Sequence, residues 1–161
     1  MPVEKTAFTN VDLSWGNGWT KYISVFIDST KNVKIAIEEL NKKTLYYNGQ
    51  LIDTSFVKIN HLISTALTQK FEDNIGIPVP DGGGAHININ ETIHSNVYEG
   101  ALPNKLDTII SLLIDLNNYT LKQSSDTSFL YQSLNKIKPP RPIMENAVFV
   151  PPIIKDDVTE K

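Results

Sequence analysis

The chain has 161 residues, no cysteine, and 15 basic against 18 acidic residues for a net charge of -3. That length suits one domain with its own core, and the lack of cysteine excludes disulfides, thiolate nucleophiles and Cys-based metal sites. No Lys/Arg stripe marks a nucleic-acid binder, and no run approaches the roughly eighteen apolar residues that span a bilayer.

From Thr9 to Leu40 the apolar residues sit at odd positions: Val11, Leu13, Trp15, Trp19, Ile23, Val25, Ile27, Val33, Ile35 and Ile37. Period-two alternation predicts strands with one buried face. Gly16, Asn17 and Gly18 supply the first reversal and residues 28–32 the second. A three-residue loop at 16–18 would set Trp15 opposite Trp19 and Val11 opposite Ile23, keeping odd with odd. Residues 45–47 read as a fourth, weaker strand ended by Asn48-Gly49. Asp53 is placed to cap a helix whose Phe56, Ile59, Ile63, Ala66 and Leu67 make one apolar stripe down to Lys70. Pro78, Pro80 and residues 81–84 break the chain before two more strands, 85–90 and 92–98. Pro103 precedes a second amphipathic helix with Leu106, Ile109, Ile110, Leu113 and Leu116 on its buried face.

This order implies an α+β domain over residues 1–121, with an antiparallel sheet of five to six strands and both helices packed on one face. The other face is left to water or to a partner. Residues 122–161 are expected to pack on the same domain as a linker (122–128), a short helix within 129–137 and a proline-rich extended tail. Pro139, Pro140, Pro142, Pro151 and Pro152 exclude regular helix there. Ile143, Val148, Phe149, Val150, Ile153 and Ile154 are more apolar than a free linker, which predicts a strap across the domain or a strand added to a sheet edge.

The run Tyr47-Asn48-Gly49-Gln50-Leu51, the Asp-led helix through Phe56 and Ile59, Asp81-Gly82 before a hairpin, and Leu102-Pro103 before a Leu/Ile-rich helix resemble an uncharacterised family of small bacterial α+β domains. The resemblance covers residues 11–118 and implies a sheet with two helices, but no activity and no catalytic residue. The chain departs from that family's pattern in having no Cys in its first strand and in its proline-rich tail.

For chemistry, the strongest candidates are His86 and His94, which share the polar face of the 85–98 hairpin with Asn88 and Asn96. A loop at 89–91 would set the two histidines directly cross-strand. Zinc takes three or four protein ligands, and only Glu99 or Asp81 lies close enough in sequence to supply a third. The ordinary reading is a polar strand face; the alternative is a small metal- or ligand-binding hydrolase-like protein using His86 and His94. His61 reads as a surface residue beside the first helix's stripe. Residues 81–84 precede a strand and lack a following Lys-Ser/Thr, so they read as a turn and not as a phosphate cradle. Gly-x-Ser-x-Gly, His-Glu-x-x-His and EF-hand patterns are absent, and neither an enzyme nor a cofactor is expected.

Trp15, Trp19, Tyr22, Phe26, Tyr98 and Phe149 are the candidate binding residues, because aromatic side chains bury much area at little entropic cost. Competing with this are core packing for the tryptophans and cover by the C-terminal segment for Tyr22 and Phe26. Pro139-Pro140-Arg141-Pro142 matches a Pro-x-x-Pro ligand, but such matches arise by chance and the run reads first as a rigid strap for the tail. The expected function is a non-enzymatic protein-binding module. Small size, mild acidity and a half-open sheet suit an immunity protein that covers the active site of a bacterial toxin. The expected partner is another protein, not nucleic acid or a membrane. The polar first residues lack a signal-peptide core, which makes the cytoplasm the expected location.

Overall fold

The computed structural model describes residues 5–79 and 82–138. The alternating N-terminal third forms β1 (Asn10–Gly16), β2 (Lys21–Asp28) and β3 (Asn32–Glu39). Then follow β4 (Leu45–Leu51), α1 (Asp53–Ala66), β5 (Asn74–Ile75), β6 (Gly84–Ile89), β7 (Ile93–Tyr98), α2 (Lys105–Ile114), β8 (Tyr119–Ser124) and the short α3 (Leu134–Ile137). The strands form one sheet in the order β5-β7-β6-β1-β2-β3-β4-β8. All neighbours are antiparallel except the parallel β5–β7 pair. The fold is α+β as expected, but with eight strands in a mixed sheet instead of five to six.

The two additional strands gave little local signal. β5 has two residues, and β8 (YTLKQS), at the edge of the sheet, pairs among the described residues with β4 alone. Of the linker expected at 122–128, residues 122–124 are instead the second half of β8. Recruiting β8 also changes the role of Asn48-Gly49, which is no turn: β4 continues through it to Leu51. A Cβ on Gly49 would lie 2.0 Å from the Thr120 carbonyl oxygen, so glycine is what lets β8 approach.

Both hairpin registers differ from expectation by an even step. Trp15 pairs with Ile23 and Val11 with Ile27. The connection is residues 17–20, held by the Asn17 Oδ1, which accepts the backbone N–H groups of Trp19, Thr20 and Lys21 at 3.1, 2.9 and 3.0 Å. In the β6–β7 hairpin His86 pairs with Asn96 and Asn88 with His94. Its reversal uses Asn90 and Glu91 at φ 54° and 56°, a conformation asparagine tolerates well. Even slips preserve parity, so the odd face stays apolar throughout.

That odd face packs against both helices. Leu13, Val25, Ile27, Ile35, Ile87 and Ile89 meet Ile59 and Ile63 of α1 and Leu106, Ile109 and Leu113 of α2 in one buried core. Asn104 caps α2 reciprocally with Asp107. Asp53 is not a cap: Ile52 holds that position, and Asp53 opens α1, where its carboxylate suits the helix dipole and reaches Lys31 Nζ at 2.7 Å. Among the described residues no helix is long and apolar enough to cross a membrane.

The even face is partly covered by residues 129–138. Ser133 is fully buried, and its hydroxyl donates to Asp12 while accepting from Ser14, which in turn accepts from Ser24, in one consistent orientation of the hydroxyls. The Ser133 backbone N–H also donates to Asp12 Oδ2 at 3.2 Å. Phe129 packs on Phe26 and on Tyr131, with ring centroids 4.8 and 4.9 Å apart. The expected helix within 129–137 shrinks to a single turn. Leu130, expected on its apolar side, is 84% exposed, and Tyr131 and Ser133 are the residues turned inward. The expected strap at 143–154, with Phe149 and the Pro-x-x-Pro run, lies outside the described residues.

Candidate functional site

At the end of the sheet where β1, β3 and β7 finish and β2, β4 and β6 begin, the register aligns Glu38, Tyr22, Gly16, Gly84 and Tyr98 across four strand boundaries. Gly16 makes room for its aromatic neighbour, since a Cβ there would lie 2.5 Å from the Tyr22 ring, while a Cβ on Gly84 would lie 2.9 Å from the Val97 carbonyl oxygen. Tyr22 is further held by Lys138, whose Nζ stands 5.6 Å from the ring centroid and pairs with Glu38. Burial, aided by the Glu38 charge, pushes the Tyr22 hydroxyl above its ordinary pKa and keeps it a neutral phenol.

On the opposite side of this same end Trp15 is half-buried against the core. It borders a cleft of about 380 Å³ between the glycine-rich strand ends and one face of α2, formed by Asp107, Ile110, Ser111 and Ile114. Spacing of three and four residues places those α2 side chains in one row. Glu99 closes the cleft, with its Oε2 accepting the Gly83 N–H at 3.0 Å.

The loops around the cleft carry apolar side chains outward. Trp19 is 62% exposed at the β1–β2 tip, and Leu40 adjoins it through a 2.7 Å bond from its N–H to the Thr20 carbonyl. Ile77 and Val79 stand in the loop before β6, and Leu102 in the loop before α2, at 85% exposure. Close approaches tie these loops together. A Cβ on Gly76 would lie 2.8 Å from that of Ala101, and one on Gly83 would lie 2.8 Å from the Gly16 carbonyl.

Four of the expected binding residues, Trp15, Trp19, Tyr22 and Tyr98, therefore converge on one end of the sheet. Phe26 is separate, mid-sheet beneath Phe129. Phe149 lies outside the described residues. Leu40, Ile77, Val79 and Leu102 were not singled out from sequence. Each is one apolar residue in a polar or proline-containing loop, and the available signal was the oddity of Ile77 and Val79 flanking Pro78 in a turn.

The histidines occupy the even face elsewhere. Because Asn88 and not His86 stands opposite His94, the two are diagonal and share an asparagine: Asn88 Oδ1 lies 2.9 Å from His86 Nε2 and 2.7 Å from His94 Nδ1. His86 Nδ1 is 2.6 Å from Asn96 Oδ1, so both ring nitrogens of His86 are engaged. His86 is 6% exposed while His94 is open to solvent, so the two do not form a matching surface pair. Glu99 sits past the far end of β7 from His94. Among the described residues no three His, Cys, Asp or Glu side chains stand close enough together to hold a metal ion. His61 is exposed on α1, as expected.

Neither a known family model, nor a curated protein, nor a solved structure matches the chain.

Proposed function

We propose that this chain is a non-enzymatic protein-binding module that meets its partner with the loop end of its sheet. The observation that carries this reading is where the exposed apolar surface lies. Of the ten large apolar side chains exposed among the described residues, six are Trp19, Leu40, Leu45, Ile77, Val79 and Leu102. All six belong to the strand ends and loops at that one end. Scattered exposed apolar residues need no explanation, whereas a concentration of them around an aromatic anchor is the usual mark of an interface. A specific form of this reading is an immunity protein that neutralises a bacterial toxin by covering its active site. Mild acidity and a surface made of loops on a rigid sheet support it, since such a role requires shape and charge but no chemistry.

The test is capture from the native host with the wild-type protein and with the Trp19→Ser, Ile77→Ser, Leu102→Ser triple variant, both showing the same thermal transition. A protein held by the wild type and lost by the variant supports the reading, and loss of that protein's activity on binding identifies the immunity form. Identical capture by both proteins would remove the loop end from consideration.

A further inference from the structure

The cleft at the loop end is unevenly charged. Among the described residues it is lined by two carboxylates, Glu99 and Asp107, and by no basic residue, and the half-buried Trp15 also lines it. Three basic groups at this end of the sheet pair with other acids: Lys21 and Lys42 with Glu39, and Lys138 with Glu38. None of the four ion pairs among the described residues includes Glu99 or Asp107. The two acids are held in place by backbone groups. Glu99 Oε2 accepts the Gly83 N–H at 3.0 Å, and Asp107 Oδ2 accepts the Asn104 N–H at 2.8 Å. Among the described residues the second oxygen of each carboxylate has no donor. The start of α2 offers no rival site for an anion, because Asn104 Oδ1 already accepts the N–H groups of Leu106 and Asp107.

A cavity of about 380 Å³ is large enough for one long side chain and too small for a folded element. A tryptophan in the lining, two carboxylates each bonded to a backbone N–H and an apolar rim suit a cation carried on an apolar stem. We propose that the cleft receives an arginine or lysine side chain of the partner protein, while Trp19, Ile77, Val79 and Leu102 pack around its base. This inference rests on the protein-binding reading above and adds the chemistry of the group that reading lacks. Arginine fits best, since its planar fork can donate to two separate carboxylates and stack on an indole, and its charge persists at all physiological pH.

The experiment is an NMR titration of the full chain with N-acetylarginine amide, using N-acetylcitrulline amide as the neutral isostere. The arginine derivative is expected to shift the Trp15 indole N–H and the backbone amides of Gly83 and Ser111 saturably, and the citrulline derivative to leave them unmoved. Glu99→Gln retains the acceptor for Gly83 and removes only the charge; it should weaken the response about tenfold, the size of one charge-assisted contact. Asp107→Asn retains an acceptor for the cap and should act in the same direction. Where Asp107→Asn lowers the thermal transition, Glu99→Gln alone decides. Equal responses to arginine and citrulline, or a wild-type response retained in Glu99→Gln, would overturn the proposal. A partner whose capture depends on Trp19 and Leu102, together with a silent arginine probe, overturns this inference and leaves the function standing. A charge-specific probe response without any such partner supports the cation site and removes the protein-binding reading.

Discussion

The two ends of the sheet solve the same problem differently. At the end away from the cleft the loops close on their own polar side chains. Asp28 Oδ1 accepts the N–H groups of Thr30 and Asn32 and the Thr30 hydroxyl. Asn90 Oδ1 accepts the Thr9 N–H at 2.6 Å, and Ser29 and Asn90 donate to the Thr9 and Asn10 carbonyls. At the cleft end Asn17 does similar work for one loop, yet the surrounding turns present Trp19, Leu40, Ile77, Val79 and Leu102 to solvent. Polar loop residues satisfy the backbone at low cost. Large exposed apolar ones contribute little to the isolated fold, and their concentration at one end is what the proposed binding role draws on.

Substitutions should separate the two ends by what they damage, against a core and a covered face that serve both. The largest effects belong to Ile63→Asp and Leu113→Asp, each of which buries an unpaired carboxylate in the core shared by both ends. Each should unfold the protein, at a cost above about 4 kcal/mol, visible as loss of the cooperative thermal transition.

Next comes the covered even face. Asp12→Ala removes the acceptor of both Ser133 donors and should lower stability by about 2 kcal/mol in urea titrations. His86→Ala belongs to the same class. The sequence placed His86 with His94 on a polar strand face, but His86 is buried and bonded at both nitrogens, so a loss of about 1–2 kcal/mol is expected. His94→Ala, at the exposed position, should change little. This face also contributes to an alkaline limit. Burial, reinforced by the Asp12 carboxylate and Tyr46, raises the Tyr131 phenol well above its ordinary value of 10.0. A raised folded-state pKa stabilises fully below the unfolded value and is lost as pH climbs beyond it, so stability should decline above about pH 10. Tyr131→Phe should lessen that decline, and the remainder comes from Tyr119, whose phenol is likewise raised by burial.

Smaller still is the polar end. Asp28→Ala should cost about 1 kcal/mol by urea titration and leave partner capture unchanged. Burial works to raise the Asp28 carboxyl, but bonds from Thr30 and Asn32 outweigh it and hold the pKa below its ordinary value of 3.8. Its contribution is therefore present above that value and is lost as pH falls through the lowered one; the variant should lose less stability on acidification. The smallest effect on stability belongs to the cleft end, where Trp19→Ser or Leu102→Ser should stay within about 0.5 kcal/mol of wild type while weakening capture. A loss of 2 kcal/mol or more there would make those residues part of the fold and erase the contrast between the ends.

How much of this was legible follows from range. The faces of β1 to β3 and of both helices were readable because alternation and helical spacing are local properties that the core then enforces. Register was not, since pairing Trp15 with Ile23 or with Trp19 preserves the same parity. Gly49 was mistaken for a turn residue because its neighbour Thr120 lies far along the chain. For the same reason Ser133, a polar residue in a polar stretch, gave no hint that it would be buried against Asp12. The aromatic candidates Trp15, Trp19, Tyr22 and Tyr98 were visible one by one. Their meeting place, and the part played by Leu40, Ile77, Val79 and Leu102, depended on strand order, which brings the β1–β2, β5–β6 and β7–α2 loops together.

The most direct measurement is amide hydrogen exchange of the protein alone and bound to the partner it captures. Binding at the cleft end predicts slowed exchange in residues 17–20, 76–79 and 99–104, with residues 28–32 and 90–92 unchanged. Slowed exchange at 28–32 and 90–92, or along the outer edge of β8, with the cleft-end loops unaffected, would contradict the account.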